Sequence, residues 1–174
     1  MRSVIKIIKD AFLYWLQIAI YSWPSFLAGN LVFGAVVYFI FGGFYARIVE
    51  IASSILILCV LLFVFAYKRG YQKVEFHGIR LLISLIITAG LQLVYAILFR
   101  YNAYTGAGAY YLAHFLFNQE RKAPDYDVPA YLYIIAIIIV FPLYIISVIA
   151  GEYLGKKKHL KERAVLNLGE INTN

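Results

Sequence analysis

Four uncharged apolar runs constrain the fold of this chain more than any other feature of its sequence. They cover residues 26–44, 51–67, 81–99 and 130–150. A run of about 20 apolar residues matches the roughly 30 Å hydrocarbon core of a bilayer. Only 14% of all residues are charged, against about 25% in soluble domains. The sequence therefore predicts an all-α, polytopic integral membrane protein built as a four-transmembrane-helix bundle, residues 25–155.

Residues 1–24 form a different kind of segment, because charges recur within an apolar stretch. On a helix, one side would carry the polar residues Arg2, Lys6, Lys9, Asp10 and Gln17. The uncharged run 11–21 is short for a span. This pattern predicts an amphipathic interfacial helix that lies in the membrane plane and ends in a turn at Pro24. A first spanning helix is the alternative, and the sequence leaves it open.

Glycines punctuate the apolar runs. Only residues 45–50, with Arg47 and Glu50, separate the first two runs, which predicts a tight hairpin. Gly42 and Gly43 let the backbone leave the helix there, since glycine accepts a positive φ without steric cost. Gly151 and Gly155, like Gly42 and Ala46, have the small-xxx-small spacing that lets helices approach closely. The spacing does not say whether the neighbouring helix belongs to the same chain.

The formal net charge of +7 indicates topology and not nucleic-acid binding, because lysine and arginine cluster at the ends of apolar runs. Basic clusters occur at the amino end, in the 68–80 connection and in the tail 156–174. Positive loops are retained in the cytoplasm, so we expect both termini there, in a bacterial plasma membrane, and the outer loop 100–129 outside. The tail is expected to continue the fourth helix, to end at Gly169, and to attract anionic lipid headgroups.

The third run carries a polar seam of Ser84, Thr88 and Gln92, each about one helical turn from the next. Hydrogen bonding between helices is the common role of such residues. A path for an uncharged or weakly charged solute is the other interpretation. The predicted spans contain no ionisable residue, which argues against a proton-coupled pump.

The outer loop contains a short, strongly aromatic stretch, "YYLAHFLF", that cannot span a bilayer. We predict a short interfacial helix there, anchored in the outer leaflet. The same stretch is also the best candidate for a recognition element, and the two roles are compatible. Its candidate binding residues are Tyr110, Tyr111, His114 and Arg121.

No pattern in the sequence indicates catalysis, a metal site or a cofactor. Cys59 is the only cysteine, and no hydrolase, metalloprotease or phosphate-loop motif is present. We therefore expect a non-enzymatic accessory or partner-binding subunit in the membrane, a homo-oligomer or a subunit bound to another membrane protein. The alternative is a transporter or channel subunit for an uncharged or weakly charged small solute.

Overall fold

The computed structural model describes residues 2–72, 77–98, 109, 112–117 and 129–171, which are almost entirely helical and include no strand. The elements are α1 (Arg2–Leu27), a π segment (Ala28–Gly34), α2 (Ala35–Phe41), α3 (Gly43–Gln72), α4 (Gly78–Leu98), the short helix α5 (described for 112–117) and α6 (Ala130–Ile171). Within these residues, four stretches are long and apolar enough to cross a membrane: Val4–Phe41, Gly43–Gln72, Gly78–Tyr95 and Tyr131–Val165. The predicted class, an all-helical chain with four candidate spans, is confirmed.

The helix boundaries differ from those predicted, because the helices continue past the ends of the apolar runs. The turn expected at Pro24 is absent, and helical structure runs from Arg2 to Phe41. Next to Pro24, the hydroxyls of Ser22 and Ser25 donate to carbonyl oxygens one turn back, at 2.6 and 2.7 Å. These bonds end on Ile18 and Tyr21, so they do not replace the one that Pro24 removes from the Ile20 carbonyl. The segments on both sides of Pro24, α1 and the π segment, pack against α3. Likewise, Gly169 does not end α6, which continues to Ile171.

The π segment places a glycine where an α-helix would place an aromatic ring. In an α-helix, Phe33 would follow Gly29 on the same face, one turn later. The wider π turn instead brings Gly34 beneath Gly29. Both glycines are buried, whereas Phe33 is 45% exposed. A Cβ on Gly34 would collide with the side chain of Glu50 on α3, so the π turn makes room for that carboxylate.

Helices α3 and α6 pack backbone to backbone through glycines. A Cβ on Gly70 would collide with the backbone of Glu152. One on Gly151 or Gly155 would meet backbone atoms of Phe63 or Tyr67. The small-xxx-small spacing on α6 therefore serves a contact within this chain. The predicted hairpin is also confirmed, because Gly42 has φ of 87° between α2 and α3.

The core lies between α1, α3, α4 and α6, and α5 packs against it. Its largest members include Tyr14, Leu58, Leu62, Leu85 and Tyr133. Ala109, Ala113 and Phe117 of the outer loop are buried in the same cluster. Residues 112–117 are helical, as predicted, but this face is covered by protein. Lipid anchoring therefore does not account for the face that carries Ala113 and Phe117.

We predict that Gly155→Ala lowers the free energy of unfolding by about 1–3 kcal/mol, because the added methyl group overpacks the α3–α6 contact. Gly90→Ala is the matched control, since a Cβ on Gly90 would meet no neighbouring atom within 4 Å. It should be neutral or stabilising by up to about 1 kcal/mol. Thermal unfolding of the detergent-purified protein measures both. Equal effects of the two variants would contradict the packing described here.

A second prediction concerns the π segment. Gly34→Ala should destabilise the protein by about 1–3 kcal/mol through its collision with Glu50. The same substitution in a Glu50→Ala background should cost less than about 0.5 kcal/mol, because the colliding atoms are gone. A double-mutant cycle on unfolding free energies measures this coupling. Additive effects would show that the two residues do not meet.

Candidate functional site

The most distinctive polar feature is a group of four charged side chains and one tyrosine, contributed by four helices at one end of the bundle. The residues are Asp10 and Tyr14 from α1, Arg69 from α3, Arg80 from α4, and Glu152 from α6. We call these five residues the charge cluster. It lies where α1, α3, α4 and α6 converge, and each helix supplies at least one member.

Arg69 is the centre of the charge cluster. Its Nη2 donates to Asp10 Oδ1, and its Nε lies 3.7 Å from Glu152 Oε1. The guanidinium carbon also sits 5.0 Å from the centre of the Tyr14 ring, a cation–π arrangement. One arginine thereby connects α1, α3 and α6.

The remaining contacts close the network. Glu152 is only 1% exposed, and its Oε1 accepts a hydrogen bond from the Tyr14 hydroxyl. Arg80 adds a second positive charge, with Nε 3.8 Å from Asp10 Oδ2. Two carboxylates therefore meet two guanidinium groups, and the charge cluster is neutral overall.

This arrangement is suited to holding helices in register. Removing one partner from a buried ion pair leaves an uncompensated charge and costs about 3–5 kcal/mol. In the part of the chain that the structure describes, no three His, Cys, Asp or Glu side chains gather closely enough to hold a metal ion.

Sequence reasoning missed the charge cluster because its members lie far apart in the chain and at the ends of apolar runs. There they resemble ordinary membrane-flanking charges. A weak signal was present: Asp10 is the only acidic residue among the first 24, and Glu152 is the first charged residue after the fourth apolar run. An acid retained in a basic flank needs a partner, and that partner proved to be Arg69.

The polar seam predicted on the third span is buried within helix contacts. Ser84, Thr88 and Gln92 are all fully buried. Thr88 Oγ1 donates to the carbonyl oxygens of Ser84 at 2.9 Å and of Ala11 at 3.0 Å. Ser84 Oγ donates to the carbonyl oxygen of Arg80 at 2.9 Å. The seam thus joins α4 to α1 next to the charge cluster, which favours the packing interpretation.

Of the outer-loop candidates, His114 lies within the described residues. Its Nε2 is 3.1 Å from the hydroxyl of Tyr133 on α6, and both rings meet edge to face with centroids 6.2 Å apart. His114 therefore ties α5 to the bundle. Tyr110, Tyr111 and Arg121 lie outside the described residues.

Comparison of this chain with known protein families, with curated proteins and with solved structures finds no match.

Glu152→Ala should lower the free energy of unfolding by about 3 kcal/mol, because Arg69 loses one of its two carboxylates in a buried setting. Glu162→Ala is the matched control on the same helix, since its side chain is 44% exposed, and should cost below about 1 kcal/mol. Thermal unfolding in detergent compares the two. Similar losses would refute a stabilising charge cluster.

Proposed function

We propose that this chain is a non-enzymatic membrane subunit that binds another integral membrane protein. The observation that carries the proposal is an aromatic hairpin that extends beyond the bundle, at the end opposite the charge cluster. It consists of α2 and the start of α3, residues 35–48, and we call it the hairpin tip.

Helix geometry shows how far the hairpin tip extends beyond α6. We measure the rise along each helix from its residue in the charge cluster, because these residues lie at the same height. From Glu152 to its start at Ala130, α6 rises about 33 Å, close to the thickness of the hydrocarbon core. From Arg69 to Gly43, α3 rises about 39 Å, and the first helical stretch rises roughly 45 Å from Asp10 to Phe41. The hairpin tip therefore extends about 6–12 Å beyond α6.

Apart from the exposed Arg47, the surface of the hairpin tip is apolar and mostly aromatic, although it extends past the lipid core. Of the elements α1, α3, α4, α6 and the π segment, α2 contacts only the π segment and α3. Phe39 is 87% exposed, and Tyr38, Phe41, Phe44 and Tyr45 are exposed as well. Aromatic side chains contribute large contact areas and are enriched at protein interfaces. Coverage by a protein surface would remove this area from contact with water and headgroups.

The hairpin tip is continuous with the segment that the sequence favoured for recognition. The rings of Phe44 and Phe115 lie 6.2 Å apart, so α5 lies beside the start of α3. Hence the proposed interface combines the hairpin tip with the half-buried side chains of α5, among them His114 and Phe115. By the distribution of lysine and arginine, this end faces outward, in a bacterial plasma membrane with both termini in the cytoplasm.

A transport role receives less support from the geometry. The side chains proposed to line a path, Ser84, Thr88 and Gln92, are buried between α1 and α4. If the protein were nevertheless a solute carrier, Gln92→Leu would change flux into proteoliposomes.

Photo-crosslinking in native membranes tests the proposal. A photoreactive phenylalanine analogue at Phe39 should give a protein adduct of one discrete mass. The control position is Leu56, which is also apolar and 64% exposed but lies about 20 Å from Arg69 along α3, within the lipid core. It should give no protein adduct.

Two further outcomes decide the interpretation of this experiment. Replacing Phe41 and Tyr45 by serine should abolish the Phe39 adduct without changing the unfolding temperature, because both side chains are exposed. An adduct with a second, differently tagged copy of the chain would identify a homo-oligomer. Lipid adducts alone, or equal protein adducts at Phe39 and Leu56, would overturn the proposal.

A further inference from the structure

We infer that the end of the bundle around the charge cluster binds the headgroups of anionic phospholipids through a ring of lysines. The ring consists of Lys6, Lys9, Lys68, Lys157 and Lys158, which are all exposed. We call these five residues the basic collar. This inference does not depend on the proposed function, because it concerns the opposite end of the molecule.

The basic collar keeps its positive charge because nearby carboxylates are already engaged. Asp10 and Glu152 are neutralised within the charge cluster by Arg69 and Arg80. Glu162, which accepts a hydrogen bond from Tyr71, lies 3.9 Å from Lys158 and offsets part of the charge of that one lysine. The remaining described charges on this surface are predominantly basic. An anionic partner is therefore the complementary one.

The position of the basic collar indicates that its anionic partner is a lipid headgroup. Lys9 and Lys68 directly adjoin Asp10 and Arg69 in the chain, and Lys6 is about one turn from Asp10. Lys157 and Lys158 lie about 8–9 Å beyond Glu152 along α6. The headgroup layer occupies roughly 5–8 Å beyond each side of the hydrocarbon core. Lysines on three helices thus reach the same headgroup layer.

The structure also divides the basic tail into two groups. Beyond the charge cluster, α6 remains helical and is held against α3. The Tyr71 hydroxyl donates to Glu162 Oε2 at 2.5 Å, and the Tyr71 ring meets the His159 ring at 5.2 Å. Lys161 and Arg163 therefore lie about 14–17 Å beyond Glu152. This is about one Debye length, 8–10 Å, past the headgroup layer, so these two residues contribute little to lipid binding.

The test compares these two groups of basic residues on the same helix. The full-length protein is reconstituted into nanodiscs with equal amounts of a neutral and an anionic phospholipid, and native mass spectrometry counts the lipids retained by the protein. The unmodified protein should retain the anionic lipid preferentially. Lys157→Gln with Lys158→Gln should lower that preference at least about fivefold, since a lysine at the surface contributes about 1 kcal/mol.

Matched variants make the result decisive. Lys161→Gln with Arg163→Gln removes the same charge from the same helix and should change the preference less than about twofold. Lys157→Arg with Lys158→Arg should preserve it. Equal losses from the two glutamine pairs, or no anionic preference in the unmodified protein, would overturn the inference. Displacement of the lipid by inorganic phosphate would overturn it too, because the site would then recognise free phosphate.

Discussion

The rest of the structure depends on the ion pairs that Arg69 makes with Asp10 and Glu152. Charged side chains at the edge of a hydrocarbon core are costly when unpaired, so their positions along the membrane normal are narrowly constrained. Because α1, α3, α4 and α6 each contribute to the charge cluster, their relative heights are fixed at this end. The distance by which the hairpin tip extends past α6 and the position of the basic collar along the membrane normal are both measured from the charge cluster.

Helix α3 is the element around which the others are arranged, and small residues determine how close they approach. At one end of α3, Gly70 packs against the backbone of Glu152 on α6, while the α6 glycines Gly151 and Gly155 pack against the α3 backbone near Tyr67. At the other end, Glu50 occupies space left by Gly34 of the π segment. Lipid tails are as apolar as leucine side chains, so close packing and interhelical hydrogen bonds must hold such helices together. The bond from Thr88 to the Ala11 carbonyl is one of those hydrogen bonds.

The two ends of the bundle therefore differ in chemistry. One end is internally neutral and externally basic, a combination that suits an anionic lipid surface. The other end extends as an aromatic hairpin beside α5, a combination that suits a protein surface. The two ends are joined by one packed core. Helix α1 contributes buried residues to this core, and so does α5. This division of roles would let the protein hold a partner at a fixed height and orientation in the bilayer.

The sequence by itself determined the class of protein, the hairpin at Gly42 and the existence of α5, because apolar run length and glycine conformation are local properties. It also identified the buried seam of Ser84, Thr88 and Gln92 from its spacing. It predicted the wrong end for the first helix at Pro24, because the packing of α1 and the π segment against α3, on both sides of Pro24, is a tertiary feature. Only the tertiary structure decided the role of the charges: Asp10, Arg69 and Glu152 are separated by tens of residues, and their pairing depends on how the helices pack.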